Sequence, residues 1–185
     1  MRLKAGQQAP RFEAQDLFGR RVSLADYRGK TLLLSFYRAA VCPLCNMRTA
    51  QLVDRYPAYQ RRGLSIIAFF ESSPAYTHRY LDRLRVPFPV IADLECTVYA
   101  LYGLESSWLG AAWARLFRGA TYREAARRHI GGNIIENVFR MDGRFGRLPG
   151  DFLIGPDLRI RTAYYGRDAG DFMLLSELEY YLAAR

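Results

Sequence analysis

The chain has 185 residues, half of them hydrophobic and about a quarter charged, which is the make-up of an ordinary globular domain able to bury a core. A fibrous or disordered chain is excluded, and no apolar run approaches the roughly 20 residues that a membrane helix needs. The net charge of +9 comes almost wholly from arginine, Lys4 and Lys30 being the only lysines. No nucleic-acid motif accompanies it, so the charge reads as a solvated surface and nucleic acid is not expected as a partner. The start, Met1-Arg2-Leu3-Lys4-Ala5-Gly6-Gln7-Gln8, is polar and lacks the apolar stretch of a secretory signal. The expectation is a cytoplasmic protein with one domain over residues 1–185.

In chain order, residues 7–29 read as a lead-in. Phe18-Gly19-Arg20-Arg21-Val22 suggests a turn between two short strands, and Ser23 is placed to cap a single helical turn. Thr31-Leu32-Leu33-Leu34-Ser35-Phe36-Tyr37 predicts a strand buried on both faces. A helix is predicted over 46–62, with Pro57 able to kink or shorten it and Gly63 as its stop. Residues 64–70 predict a second buried strand. Ser73-Pro74 opens a helix to about residue 85, followed by a short strand over 88–92 and a short helix over 95–101.

Residues 105–146 differ from the rest. They are rich in arginine and read as a helical insertion, with helices expected over 107–117 and 122–129 and an ambiguous stretch at 134–141. About forty residues make a poor core by themselves, so this is an insertion and not a second domain. A strand over 151–154, a turn, a strand over 159–165 and a closing helix over 171–184 complete the chain. Parallel strands with crossover helices, joined to an antiparallel hairpin, give an α/β fold with a central mixed sheet flanked by helices.

The chemistry concentrates at Cys42-Pro43-Leu44-Cys45. Three cysteines, Cys42, Cys45 and Cys96, are too few for a disulfide scaffold. There is no second cysteine pair, and His78 and His129 are isolated, so no metal site is expected. The pair lies where a buried strand passes into a helix. Unpaired N–H groups at a helix start stabilise a thiolate, lowering its pKa below the free value of about 8.5. Pro43 suits the first helical turn, where its missing N–H costs nothing. Cys45 lies one turn on along the same face, so one cysteine can attack and the other resolve a mixed disulfide. Cys96 reads as a small buried hydrophobe.

The stretch Phe36-Tyr37-Arg38-Ala39-Ala40-Val41-Cys42-Pro43-Leu44-Cys45-Asn46 resembles the peroxiredoxin-like branch of the alkyl hydroperoxide reductase and thiol-specific antioxidant (AhpC/TSA) family. Further matching stretches are Gly6-Gln7-Gln8-Ala9-Pro10-Arg11-Phe12, Phe88-Pro89-Val90-Ile91-Ala92-Asp93 and Leu148-Pro149-Gly150-Asp151-Phe152-Leu153-Ile154. The resemblance implies a thioredoxin-like fold with a peroxiredoxin-type N-terminal extension, and an oxidoreductase without a bound cofactor. It covers residues 6–104 and 147–184 and leaves the insertion unexplained.

Two positions depart from the family pattern. The family's P-x-x-x-[ST]-x-x-C loop puts its peroxidatic cysteine on Cys45, its Thr or Ser on Cys42 and its Pro on Arg38. The family's arginine before a late strand falls near Pro149, which looks instead like the cis-proline that packs beside the dithiol of thioredoxins. Arg38 and Arg147 are the candidates to supply the missing positive charge. Helix-terminus physics favours Cys42 as nucleophile and the family alignment favours Cys45; both assignments stand at this point.

The function implied is a thiol-disulfide oxidoreductase or thiol-dependent peroxide reductase. Its partners would be a small peroxide or protein disulfide as oxidant and thioredoxin or glutathione as dithiol reductant, with a homodimer as an analogy to related folds. The alternative is a redox-sensing binding module whose arginine-rich insertion docks a partner or forms a dimer interface.

Overall fold

The computed structural model describes residues 1–107, 119–127 and 141–184. A lead-in hairpin pairs β1 (Glu13–Gln15) with β2 (Arg21–Ser23). Ser23 then caps a 3-10 turn over Leu24–Tyr27, with Asp26 returning a bond to the Ser23 N–H. The main sheet holds β3 (Thr31–Tyr37), β4 (Leu64–Phe70), β5 (Val90–Ala92), β6 (Gly150–Ile154) and β7 (Ile160–Tyr165). Their order is β5-β4-β3-β6-β7. β3 pairs parallel with β4 and antiparallel with β6, so the central strand joins the two halves.

Every residue of β3 is buried, as its nearly continuous apolar run predicts. Alternation along it divides the core. Leu33 and Tyr37 face a layer built from α1 (Pro43–Arg61) and α5 (Leu175–Ala183), through Leu44, Leu52, Tyr56, Leu178 and Leu182. Leu32, Leu34 and Phe36 face Phe12 of the lead-in and Val98 and Tyr99 of α3 (Thr97–Leu101). On this second face Phe36 stacks on Phe69 and meets Phe152 edge-on. α2 (Pro74–Leu81) follows β4, with Pro74 at its start and Ser73 as its cap.

α1 starts at Pro43 and runs through Pro57 to Arg61, so Pro57 does not end it. Pro57 lies on the exposed side, where water can serve the carbonyl its ring leaves unpaired. In the insertion, α4 (Gly119–Arg127) is helical and packs against α1. The helix expected over 107–117 lies, from residue 108, outside the described residues. So do residues 128 and 129 of the second expected helix and 134–140 of the ambiguous stretch. No described helix is long and apolar enough to cross a membrane.

Candidate active site

Cys42 is the N-cap of α1, in extended conformation, with Pro43 as the first helical residue. The loop between β3 and α1 is fixed by side chains. The Asn46 amide donates to the Ala40 carbonyl at 2.5 Å and to the Cys42 carbonyl at 2.9 Å. The Ala40 N–H donates to the Ser72 hydroxyl at 2.8 Å. Both cysteines are reduced and buried, with Cys42 1% exposed and Cys45 0%.

The two thiols are electrostatically unequal. A hydrogen bond from Cys45 lowers the Cys42 pKa to about 6, helped by the charge of Arg38 and by the N–H groups of Cys45 and Leu44, against the cost of burial. These N–H groups belong to the first turn of α1, as expected for a thiol at a helix start. Cys45 moves the other way. Burial raises its pKa well above the ordinary value, and its bond to Cys42 and the neighbouring Cys42 charge raise it further. The arrangement favours ionisation at Cys42 over Cys45, with the Cys45 thiol as a hydrogen-bond donor to it.

Arg38 reaches the dithiol. Its Nη1 lies 3.7 Å from Cys42 Sγ, and its Nη2 donates to the Phe145 carbonyl. The guanidinium also lies 5.5 Å from the centre of the Phe145 ring. Arg147 sits elsewhere. Its buried guanidinium pairs with Glu71 and donates to the Leu104 carbonyl at 3.0 Å and to Cys96 Sγ at 3.2 Å. A buried arginine requires a buried carboxylate, and Glu71, 1% exposed, supplies it. Cys96 is thus more than a small hydrophobe: its sulfur accepts a bond from Arg147. Burial pushes its thiol up to about 11, which leaves it protonated and unreactive at neutral pH.

The cis bond expected before Pro149 is absent; Leu148–Pro149 is trans. Arg147 bridges to Ser106, Leu148 N–H donates to the Glu105 carbonyl, and Pro149 O accepts from Gly166 N–H. The chain is already extended as it enters β6, and a trans bond keeps that direction. The register sets a buried polar pair beside the site: Ser35 of β3 lies opposite Asp151 of β6 and donates to its carboxylate. Asp151 also accepts from Met173 N–H at 2.9 Å and lies 3.6 Å from Arg48, one turn beyond Cys45 on α1.

Sequence reasoning missed Asn46, Glu71, Ser72, Asp142 and Phe145. Glu71 and Ser72 had a signal: they directly follow β4, and the carboxyl ends of parallel strands are where α/β proteins gather their sites. Asn46, Asp142 and Phe145 had none.

A sequence profile of the AhpC/TSA family matches residues 5–163. The thiol-disulfide oxidoreductase ResA of Halalkalibacterium halodurans is 32% identical over 102 residues, 55% of this chain and 57% of that protein. Peroxiredoxin Bcp of Escherichia coli is 27% identical over 119 residues, 63% of this chain and 76% of that protein. Of several curated relatives, ResA included, the chain spans less than two thirds of their length. The crystal structure of peroxidoxin BcpB from Mycobacterium tuberculosis superposes with a TM-score of 0.67 at 17% identity, covering 98% of this chain and 95% of that one. The architecture is the thioredoxin-like one expected from the sequence.

Proposed function

Since the chain belongs to the AhpC/TSA family, we propose that it is a thiol-disulfide oxidoreductase in which Cys42 attacks and Cys45 resolves. The observation that carries this reading is the opposite displacement of the two thiols, Cys42 to about 6 and Cys45 well upward. The thiolate is the nucleophile, and here it stands at the helix start.

In the first step the Cys42 thiolate attacks one sulfur of a disulfide substrate. A Cys42–substrate bond forms, the substrate's S–S bond breaks, and its other sulfur leaves as a thiolate. Cys45 then loses its proton and attacks Cys42, closing the Cys42–Cys45 disulfide and releasing the second substrate thiol. The substrate gains two electrons and the dithiol loses them; an external dithiol such as thioredoxin, or glutathione, restores it by the reverse exchange. Charge balance favours this order. Burial remains the main influence that opposes ionisation of Cys45, but once the Cys42 sulfur is bound its negative charge and its hydrogen bond from Cys45 are gone, and the opposition they added goes with them.

A peroxide is the second substrate class, favoured by Arg38, whose guanidinium at Cys42 can stabilise the oxygen leaving from the O–O bond. Cys42 would become a sulfenic acid as the other peroxide oxygen leaves as water or alcohol, and attack by Cys45 would release the sulfenic oxygen as water.

Single Cys→Ser variants test the assignment. Cys45→Ser accumulates a mixed disulfide through Cys42, while Cys42→Ser accumulates none. Trapping by Cys42→Ser alone reverses the roles. Second-order rates with hydrogen peroxide and with a disulfide, measured on the same protein, decide the substrate class.

A further inference from the structure

The short segment that returns from the insertion to β6 lies across the loop carrying Cys42 and is tied down at successive residues. Both carboxylate oxygens of Asp142 are bound. Oδ1 accepts from the Ser72 hydroxyl at 2.7 Å, and Oδ2 accepts from the Ser73 N–H at 2.7 Å and from its hydroxyl at 2.8 Å. Gly143 then passes so close to the Glu71 carbonyl that a Cβ on it would lie 2.1 Å from that oxygen and 3.3 Å from Ala39 Cβ. The Arg144 N–H donates to Glu71 at 3.0 Å. The Phe145 carbonyl takes the bond from Arg38, the residue whose other nitrogen faces Cys42.

Ser72 is the common point. The hydroxyl that donates to Asp142 also accepts from Ala40 N–H in the dithiol loop. Asp142 is therefore one side chain removed from the backbone two residues before Cys42. Phe145 is one guanidinium removed from the sulfur itself. Cys42 itself is 1% exposed in this arrangement, so a substrate sulfur or oxygen reaches it only after something beside the dithiol loop moves.

We propose that residues 142–145 form a seated strap beside the dithiol, with Asp142 as its latch: seated, it aims Arg38 at Cys42 and restricts access; lifted, it frees Arg38 and admits substrate, and reseating over the bound substrate returns Arg38 to the sulfur. Asp142 is a positioning residue that acts through Ser72 and through the strap. The proposal rests on the reading of Cys42 as the nucleophile. It adds that this nucleophile is prepared and guarded by the same segment.

The test is alkylation of the reduced full-length chain by iodoacetamide as a function of pH, with Cys42 and Cys96 quantified separately. Asp142→Ala removes the latch. Gly143→Ala adds the Cβ that the Glu71 carbonyl excludes, at a position whose φ is open to alanine. For either variant that folds, the plateau rate at Cys42 near pH 9 should rise about tenfold or more, the effect expected on losing hydrogen bonds to a charged group. The midpoint should also climb from about 6 toward the ordinary thiol value. Cys96 should stay slow. An unchanged plateau or midpoint overturns the proposal. So does a parallel rise at Cys96, which would show general loosening and not a lifted strap. Alkylation needs no disulfide exchange, so this test can fail while Cys45→Ser still traps substrate through Cys42, and the reverse.

Discussion

Arg38 Nη1 lies 3.7 Å from Cys42 Sγ, and neither residue is more than 5% exposed. A charge pair this far from solvent is weakly screened. Replacing Arg38 by methionine keeps much of the bulk and removes the charge. The Cys42 thiolate midpoint should rise by roughly one unit, equivalent to about 1.4 kcal/mol, with a matching fall in its reactivity at neutral pH. Thiolate absorbance followed through a pH titration reads this directly, and an unchanged midpoint would assign the low pKa to Cys45 and the helix start alone.

The same depressed pKa makes stability depend on pH. The ordinary thiol value is about 8.5, and in the folded protein Cys42 is lowered to about 6. Between these values the unfolded chain binds the extra proton, so the contribution from Cys42 is fully present above the unfolded value. It is lost as pH falls through the folded one. Urea denaturation of the reduced protein across this window should show stability rising with pH, relative to Cys42→Ser at each point. A flat difference between the two proteins would refute the ionised state of Cys42.

Glu71 and Arg147 predict a large structural effect away from the nucleophile. Glu71→Gln leaves a buried guanidinium without its counter-charge and should cost about 3–5 kcal/mol. Removing both partners as Glu71→Gln/Arg147→Met should cost less than the two single losses combined. Chemical denaturation of the four proteins gives the coupling, and strict additivity would mean that the pair does not act as a unit.

Cys96 should be dispensable for the chemistry. With its thiol raised to about 11, it carries almost no thiolate at neutral pH. Cys96→Ser should keep disulfide exchange within about twofold, and iodoacetamide at pH 7 should modify Cys42 long before Cys96. Loss of exchange in Cys96→Ser would bring a third thiol into the cycle.

What was legible in the sequence was local. The buried strand β3, the helix start at Pro43 and the thiols three residues apart all fall within fifteen residues, and their consequences follow from strand and helix geometry alone. The closing hairpin and helix were readable for the same reason, from periodicity and turn residues. What was hidden depends on partners far apart in the chain. Arg38 and Phe145 are 107 residues apart, Glu71 and Arg147 are 76 apart, and Ser72 and Asp142 are 70 apart. A sequence shows that arginines are present but not which buried carboxylate each will find, which is why Arg38 was placed at the dithiol and Arg147 proved to pair with Glu71. Pro149 carried a resemblance to a cis-proline, yet the extended path into β6 decided its geometry.

The position of Cys42 as the cap of α1 has a consequence for driving force. A disulfide closed between Cys42 and Cys45 extinguishes the thiolate that the helix start and Arg38 favour, so those contacts stabilise the reduced couple over the oxidised one. Stabilising the reduced form raises the reduction potential, about 30 mV for each 1.4 kcal/mol in a two-electron couple. The features that make Cys42 a ready nucleophile therefore also shift the couple toward the oxidising end of the thiol scale, and Arg38→Met should lower its potential.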